Sequence, residues 1–343
     1  MKNSKGVTLV ELMVAIAIMG IIGAGMATMF TSIQRNFSIE EARIGIKTGA
    51  QTSVNKIALN LTATKRLFQN TAADNAFLAL VTPVPAAVAG SVLPSINDGA
   101  SMTPSSGTFV STATGNSLFF ASLDLPFTTT PILDSVGGTS THTIRVDSYH
   151  FNYYYLSQAA TPVIGGGGQL MLREWHSFSV ADYNQISCWT NATLQSNLVQ
   201  ALYTAGYRFA WDASQNAAAS AFYSIGSGGV LAALGSAPAL TANVVDQRLA
   251  PAAMVKPLTG VLGSGYRYGV SPNTTGAFAN SIPYAVPQFT AASGQFPSGF
   301  EVVTVGSSSA RQILIRLVII AQGAFKGSIA NQQVTVATAR DVH

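Results

Sequence analysis

Charged residues and cysteine are both scarce in this chain of 343 residues. Only 9% of the residues are charged, far below the roughly 25% of an average soluble domain. This scarcity argues against a cytosolic enzyme, a nucleic-acid-binding protein and a disordered polyelectrolyte. The single cysteine, Cys188, permits no internal disulfide and no multi-cysteine metal site. The length suits one or two domains.

Long apolar runs are scarce as well, because only one exists, from Leu12 to Ile33. A single run argues against a protein that crosses a membrane many times. A helix over this run spans about 33 Å, which is enough to cross a bilayer. Lys2 and Lys5 precede the run and predict a cytoplasmic N-terminus, so that the rest of the chain lies outside the inner membrane.

A secretory signal peptide is the alternative interpretation of this segment. The basic start and the apolar core fit it, and Gly25-Met26-Ala27 has the small residues of a cleavage site. Two features disagree with it, because the apolar run is longer than a usual signal-peptide core and Glu11 lies at its front edge. A charge at the bilayer centre costs about 2.5–3.5 kcal/mol, so we expect Glu11 to have a role.

The residues from Lys5 to Glu11 resemble the processing site of type IV prepilins and of the related pseudopilins of type II secretion. The resemblance implies that a prepilin peptidase cleaves after Gly6 and then N-methylates the new first residue, Val7. It also implies that Glu11 pairs with the Val7 amine of an adjoining subunit and thereby sets the register of assembly. The alternative is that Glu11 merely lies in the lipid headgroup region.

The helical pattern continues beyond the apolar run but becomes amphipathic. No proline occurs before Pro83, and we predict one helix from about Val7 to about Asn70. Apolar residues recur along its second half at helical spacing: Phe37, Ile44, Val54, Ile57, Leu61 and Phe68. The predicted segments are a leader (1–6), a transmembrane or filament-core helix (7–33), its amphipathic continuation (34–72) and an extracytoplasmic β-rich domain (73–343).

Beyond about residue 75 the chain has short β-type patterns between turn residues. Arg311 to Ala321 is the clearest buried strand, and Gln332 to Thr338 is predicted to pair with it as a hairpin. The fold class is therefore α+β, with a long N-terminal helix packed on a large antiparallel β domain. The other predicted strands are 117–123, 143–146, 151–156, 169–172, 207–211 and 300–305.

The hairpin and the Arg340-Asp341 pair that follows it resemble the end of PilW-type minor pilins and of J-type pseudopilins. In those proteins the final strand commonly runs into an Arg-Asn pair. Together with the N-terminus, this resemblance implies a non-enzymatic minor pilin that is assembled at the pilus tip or in the initiation complex and primes filament assembly. The alternatives are a type II secretion pseudopilin and, more remotely, a signal-anchored extracytoplasmic enzyme.

The same resemblance implies the partners and the location. The expected partners are other pilin subunits, through the N-terminal helix, and the prepilin peptidase. The β domain is a candidate for contact with a surface receptor, and no nucleic acid is expected. The chain is expected in the inner membrane before assembly, with its C-terminal domain in the periplasm, and afterwards in the cell-surface pilus.

Residues with catalytic or metal-binding chemistry form no recognisable motif. The histidines include no HExxH pair, so neither a metal nor a cofactor is expected; they are His142, His150, His176 and His343. Gly165–Gly168 lacks the lysine of a phosphate loop, and the GxSxG pattern is broken after Ser271. Cys188 is predicted to be a small buried thiol.

Two aromatic or charged segments have a structural and a functional interpretation. Tyr149, Phe151, Tyr153 and Tyr155 alternate as one face of a strand would, and packing between sheet and helix is favoured over a ligand-binding strip. The segment from Arg173 to His176 mixes charge and aromatic residues. It predicts either a recognition tip or an internal salt bridge, and the sequence does not choose between them.

Overall fold

The structure is a computed structural model. It describes residues 8–81, 92–98, 115–158, 170–215, 220–234, 256–257, 267–270, 300–322 and 328–341. Helix α1 (Leu9–Thr62) has 54 residues, which corresponds to a length of about 80 Å. The other helices of these ranges are much shorter: α2 (Ala72–Val81), α3 (Tyr183–Ser187) and α4 (Ala192–Thr204).

The predicted end of the long helix, at about Asn70, is wrong. Helix α1 ends at Thr62, and the next residues form strand β1 (Thr64–Leu67). This strand pairs antiparallel with a strand that lies about 50 residues further along the chain, so that Leu67 lies opposite Phe120. Tertiary pairing of this kind overrides a local preference for helix, and Leu67 is buried as a result.

Most strands join one sheet of 14 strands within the described residues. After β1, the longer members are β3 (Leu118–Leu123), β8 (Ser148–Gln158), β9 (Leu170–His176), β16 (Phe300–Val305), β17 (Arg311–Gln322) and β18 (Ser328–Ala339). The shorter members are β2 (Ile96–Asn97), β10 (Val180–Asp182), β11 (Phe209–Trp211), β12 (Phe222–Gly226), β13 (Val230–Ala233), β14 (Lys256–Pro257) and β15 (Arg267–Val270). Two small two-stranded sheets pair β4 (Phe127–Thr128) with β7 (Arg145–Val146), and β5 (Ile132–Leu133) with β6 (Thr141–His142).

The predicted α+β class is confirmed, but the sheet is mixed rather than purely antiparallel. Its order is β13-β12-β11-β10-β8-β9-β15-β17-β16-β2, with β1 attached through β3 to β8, β14 to β9, and β18 to β17. The pairs β10–β11 and β16–β2 are parallel. The first of these pairs is joined by a connection that contains α3 and α4, as a parallel connection requires.

Several strand predictions are confirmed. The predicted strand 300–305 coincides with β16, and β3 and β8 cover 118–123 and 151–156. The predicted hairpin is present, because β17 and β18 pair over their whole length, from Arg311 opposite Ala339 to Gln322 opposite Ser328. The predicted strand 143–146 shortens to β7, and the predicted strand 169–172 lengthens into β9. The turn residues of 83–107 and 161–168 predict loops. Segment 161–168 and most of segment 83–107 lie outside the described residues.

The sheet separates two of the hydrophobic cores that the described residues form, and another core surrounds α4. On one face, Tyr154 of β8 belongs to the core that contains the C-terminal part of α1. On the other face, the four alternating aromatic residues of β8 join α2 in a second core, where the rings of Phe151 and Phe77 lie 5.5 Å apart. The predicted packing of these aromatic residues is therefore confirmed, with α2 as the helix that covers them.

Candidate functional site: the N-terminal helix and its anchor

The first turn of α1 is closed by a capping box. The backbone N–H of Thr8 donates to Glu11 Oε2 over 2.9 Å, and the backbone N–H of Glu11 donates to Thr8 Oγ1 over 3.3 Å. These reciprocal bonds satisfy amide groups that a helix start otherwise leaves unpaired. The spacing Thr-x-x-Glu indicates this motif in the sequence, and it gives Glu11 a local structural role beside its expected role in assembly. Gly6 and Val7 lie outside the described residues.

The N-terminal half of α1 makes no buried contact with the rest of the described chain. Every side chain from Thr8 to Phe37 is exposed, including large apolar ones such as Met19 at 75% and Ile21 at 74%. Within the described residues, α1 is the one helix long and apolar enough to cross a membrane. An exposed apolar surface of this extent marks a site that contacts lipid or other protein.

The C-terminal part of α1 docks on the sheet through one stripe of apolar side chains. The stripe consists of Ala50, Val54, Ile57 and Leu61, which are at most 3% exposed. Its spacing of three and four residues places these side chains on one side of the helix. Opposite them lie residues of β17 and β18, among them Ala337 and Ala339. Only part of the predicted apolar pattern docks on the sheet. Phe37 and Ile44 are exposed, whereas Val54, Ile57 and Leu61 are buried.

A buried carboxylate anchors the docked part of the helix. Glu174 of β9 has no exposed side-chain surface, and it receives hydrogen bonds from three elements. Lys56 of α1 pairs with its Oε2 atom. The hydroxyl of Tyr154 donates to Oε1 over 2.9 Å, and His176 Nε2 lies 2.6 Å from the same oxygen. Asn60, one turn after Lys56, donates to the Tyr154 hydroxyl over 2.7 Å.

The charges of this anchor favour the ionised form of Glu174. Burial by itself would raise the pKa of Glu174, but the hydrogen bonds from His176 and Lys56 outweigh it and lower that pKa to about 2. Burial and the neighbouring negative charge of Glu174 raise the pKa of the Tyr154 hydroxyl, which therefore remains a donor. Of the two interpretations of the segment from Arg173 to His176, the structure supports the internal salt bridge.

A second polar contact fastens the junction between α1 and the sheet. Asp341, which is 2% exposed, accepts from the backbone N–H of Leu67 over 3.0 Å. Its other oxygen lies 2.8 Å from Nε of Arg311, the first residue of β17. Arg311 also donates to the carbonyl of Gly306 over 2.6 Å and pairs with Asp98. The aspartate of the Arg340-Asp341 pair thus holds the end of β18 against the strand that follows α1.

The ring of His150 lies near that of His176, with their centroids 5.9 Å apart, and the other candidate residues are dispersed. His142 Nε2 lies 3.5 Å from Asp134 Oδ2, and His150 Nδ1 lies 3.9 Å from Asp124 Oδ2. In the ranges given above, no three or more His, Cys, Asp or Glu side chains are grouped so that they could hold a metal. His343, Gly165–Gly168 and Ser271 lie outside the described residues.

The prediction that Cys188 is buried is wrong. Cys188 caps the C-terminal end of α3 and is exposed. The buried residue of this short helix is Ile186. Cys188 comes two residues later, which turns it by roughly 200° to the opposite side.

Comparison with known proteins assigns the N-terminus to a known motif. The family model described as the prokaryotic N-terminal methylation motif matches residues 1–27. No curated protein and no solved structure shows significant similarity to the chain. The match supports a protein of the type IV pilin or pseudopilin class, whose role is structural rather than catalytic. Together with the apolar helix α1, it indicates a chain anchored in a membrane through α1.

Proposed function

We propose that this chain is a minor pilin of a type IV pilus, which joins other pilin subunits through α1 and primes filament assembly at the tip. The observation that carries the proposal is the coincidence of the methylation motif with a long helix whose first half is exposed and apolar. Such a half-helix needs lipid before assembly and neighbouring helices afterwards, because an apolar surface of this size is unfavourable in water.

The proposal assigns a role to each residue of the processing site. Prepilin peptidase cleaves after Gly6 and methylates Val7, and glycine suits the cleavage position because it has no Cβ to obstruct an extended backbone. Glu11 then pairs with the Val7 amine of an adjoining subunit. The capping box with Thr8 keeps the Glu11 carboxylate hydrogen-bonded until that partner arrives. The chain resides in the inner membrane first and in the surface pilus later, where its β domain contacts a receptor.

Processing is tested by mass spectrometry of the mature protein. We expect a chain that begins at Val7 and carries one added methyl group. Gly6→Ala should block this processing, whereas Gly23→Ala should not, because a Cβ at Gly23 meets no atom within 4 Å. Normal maturation of the Gly6→Ala protein would refute the assignment.

Assembly is tested separately with Glu11. Glu11→Ala should mature normally but fail to enter sheared surface filaments, whereas Glu40→Ala should enter them. Glu40 is a suitable control because it is an exposed acid of the same helix, paired with Arg43 on the surface. We also expect deletion of the gene to abolish piliation. Intact pili together with defective protein secretion would contradict the pilin role and favour a pseudopilin of type II secretion.

A further inference from the structure

The apolar stripe that docks α1 does not by itself determine how the helix is rotated about its axis. Its members are Ala50, Val54, Ile57 and Leu61, and small alanine side chains of β18 lie opposite them. Apolar contact is non-directional and depends mainly on the area removed from water. A rotation of α1 by a few tens of degrees keeps much of this stripe against the sheet, so apolar contact fixes the rotation only coarsely.

The polar contacts of α1 are directional. Lys56 and Asn60 are four residues apart and therefore lie on the same side of the helix. Lys56 reaches Glu174 of β9, and Asn60 reaches Tyr154 of the neighbouring strand β8. Glu174 is fully buried, whereas the side chain of Lys56 is 41% exposed. Loss of Lys56 therefore removes a contact between this carboxylate and α1 and leaves the carboxylate to Tyr154 and His176.

We propose that Lys56 is a positioning residue whose pairing with Glu174 sets the rotation of α1 relative to the sheet. A buried ion pair contributes little net stability compared with apolar packing, and the best-attested use of such groups is to select one arrangement among several. Because α1 is continuous from Leu9 to Thr62, the rotation set at Lys56 is carried into the exposed half of the helix. It thereby selects the side that meets neighbouring subunits, a consequence that rests on the proposed function.

The rotation is measured by cysteine labelling of the full chain, purified in detergent with Cys188 replaced by serine. Single cysteines replace Ser53 or Val54, which are 2% and 3% exposed and lie at the two edges of the docked stripe. A third variant carries its cysteine at Leu59, which is 69% exposed and gives the reference rate of maleimide reaction. Each variant is compared with and without Lys56→Met.

Rotation exposes one edge of the stripe and keeps the other buried. With Lys56→Met we expect labelling at one of the two edge positions to rise about tenfold or more, because α1 then loses its directional contact with the buried carboxylate of Glu174. The other edge position should not change. Lys56→Arg should retain the original pattern, and so should Lys47→Met, which removes an exposed cation of the same helix.

Two results would overturn the proposal. Unchanged labelling at both edges would mean that apolar packing alone sets the rotation. An equal rise at both edges would mean that the helix loosens without turning. Glu174→Gln gives a second test from the sheet side, and it should alter the same edge position as Lys56→Met. The experiment needs no filament, so its outcome is independent of whether the chain is a pilin.

Discussion

Neutralising Glu174 should weaken the fold by an amount that depends on pH. Glu174 is fully buried, and its carboxylate holds Lys56, Tyr154 and His176 together beneath α1. Glu174→Gln keeps the size of the side chain and removes the charge. The variant therefore isolates the ionic part of the anchor.

The size of this loss of stability follows from the pKa of Glu174, which falls from its ordinary value of 4.5 to about 2 in the folded chain. Each pKa unit corresponds to roughly 1.4 kcal/mol, so the ionised carboxylate stabilises the folded state by about 3 kcal/mol. Because the folded-state pKa is the lower one, this contribution is complete above about pH 4.5. It is lost as the pH falls from 4.5 through 2, and below about pH 2 the carboxyl group is protonated in both states.

The assay is urea unfolding of the full chain in detergent, followed by tryptophan fluorescence at several pH values. Trp175 is a suitable probe because it is fully buried next to Glu174. We expect the free energy of unfolding of Glu174→Gln to lie about 3 kcal/mol below that of the wild type at pH 6. This difference should shrink steadily as the pH is lowered from 4.5 toward 2. Titrating groups that do not contact Glu174 are common to both proteins and cancel in the comparison.

A matched control is Glu40→Gln, because Glu40 pairs with Arg43 on the helix surface at 2.8 Å. Exposed pairs of this kind contribute at most about 1 kcal/mol, so the control should unfold almost as the wild type does. A difference between Glu174→Gln and the wild type that stays constant from pH 6 to pH 2 would refute the reasoning. So would a difference at pH 6 no larger than that of the control.

Two further predictions concern the strand that follows α1 and the packing of α1 on the sheet. Asp341→Ala should lower the free energy of unfolding by about 2–4 kcal/mol, because it removes a partner of buried Arg311 and the acceptor of the Leu67 amide. The control is Arg340→Ala, which changes the exposed neighbour and is measured by the same urea unfolding. Equal stability of the two variants would contradict the role of Asp341. Ile57→Ala should cost about 2–5 kcal/mol by leaving a cavity under the helix. Leu59→Ala, on the exposed side, should change stability by no more than about 0.5 kcal/mol in the same measurement, and similar losses for both variants would show that the docked side is misassigned.

Elements with strong local patterns could be predicted from the sequence. The start of α1 and the β17–β18 hairpin follow from long runs whose periodicity permits few alternatives. The end of α1 could not be predicted, because the strand that replaces the last helical turns is stabilised by pairing with β3, far along the chain. Local propensity carries no information about such a partner.

The residues of the candidate site also fall into two groups, those that the sequence indicates and those that only the fold brings together. The Thr8–Glu11 capping box is a short-range motif that can be found by spacing alone. The proposed processing residues follow from the resemblance of residues 5–11 to prepilins. The role of Glu174 could not be chosen from the sequence, since Lys56 lies 118 residues before it. The Arg340-Asp341 pair is visible in the sequence, but Leu67, whose backbone N–H donates to Asp341, lies 274 residues away. Contacts of this separation are created by the fold and leave no local signal.

The docking of α1 on β18 has a consequence for the timing of folding. Helix α1 is made first, yet the strand that it contacts most extensively is the last strand of the chain. At a synthesis rate of roughly 5–20 residues per second, the docking side of α1 waits about 15–55 s for β18 to emerge. During this interval Val54, Ile57 and Leu61 have no native partner on that strand. Contacts of such long range also fold slowly, so protection of the nascent helix by lipid or a chaperone should matter more than the rate of helix formation.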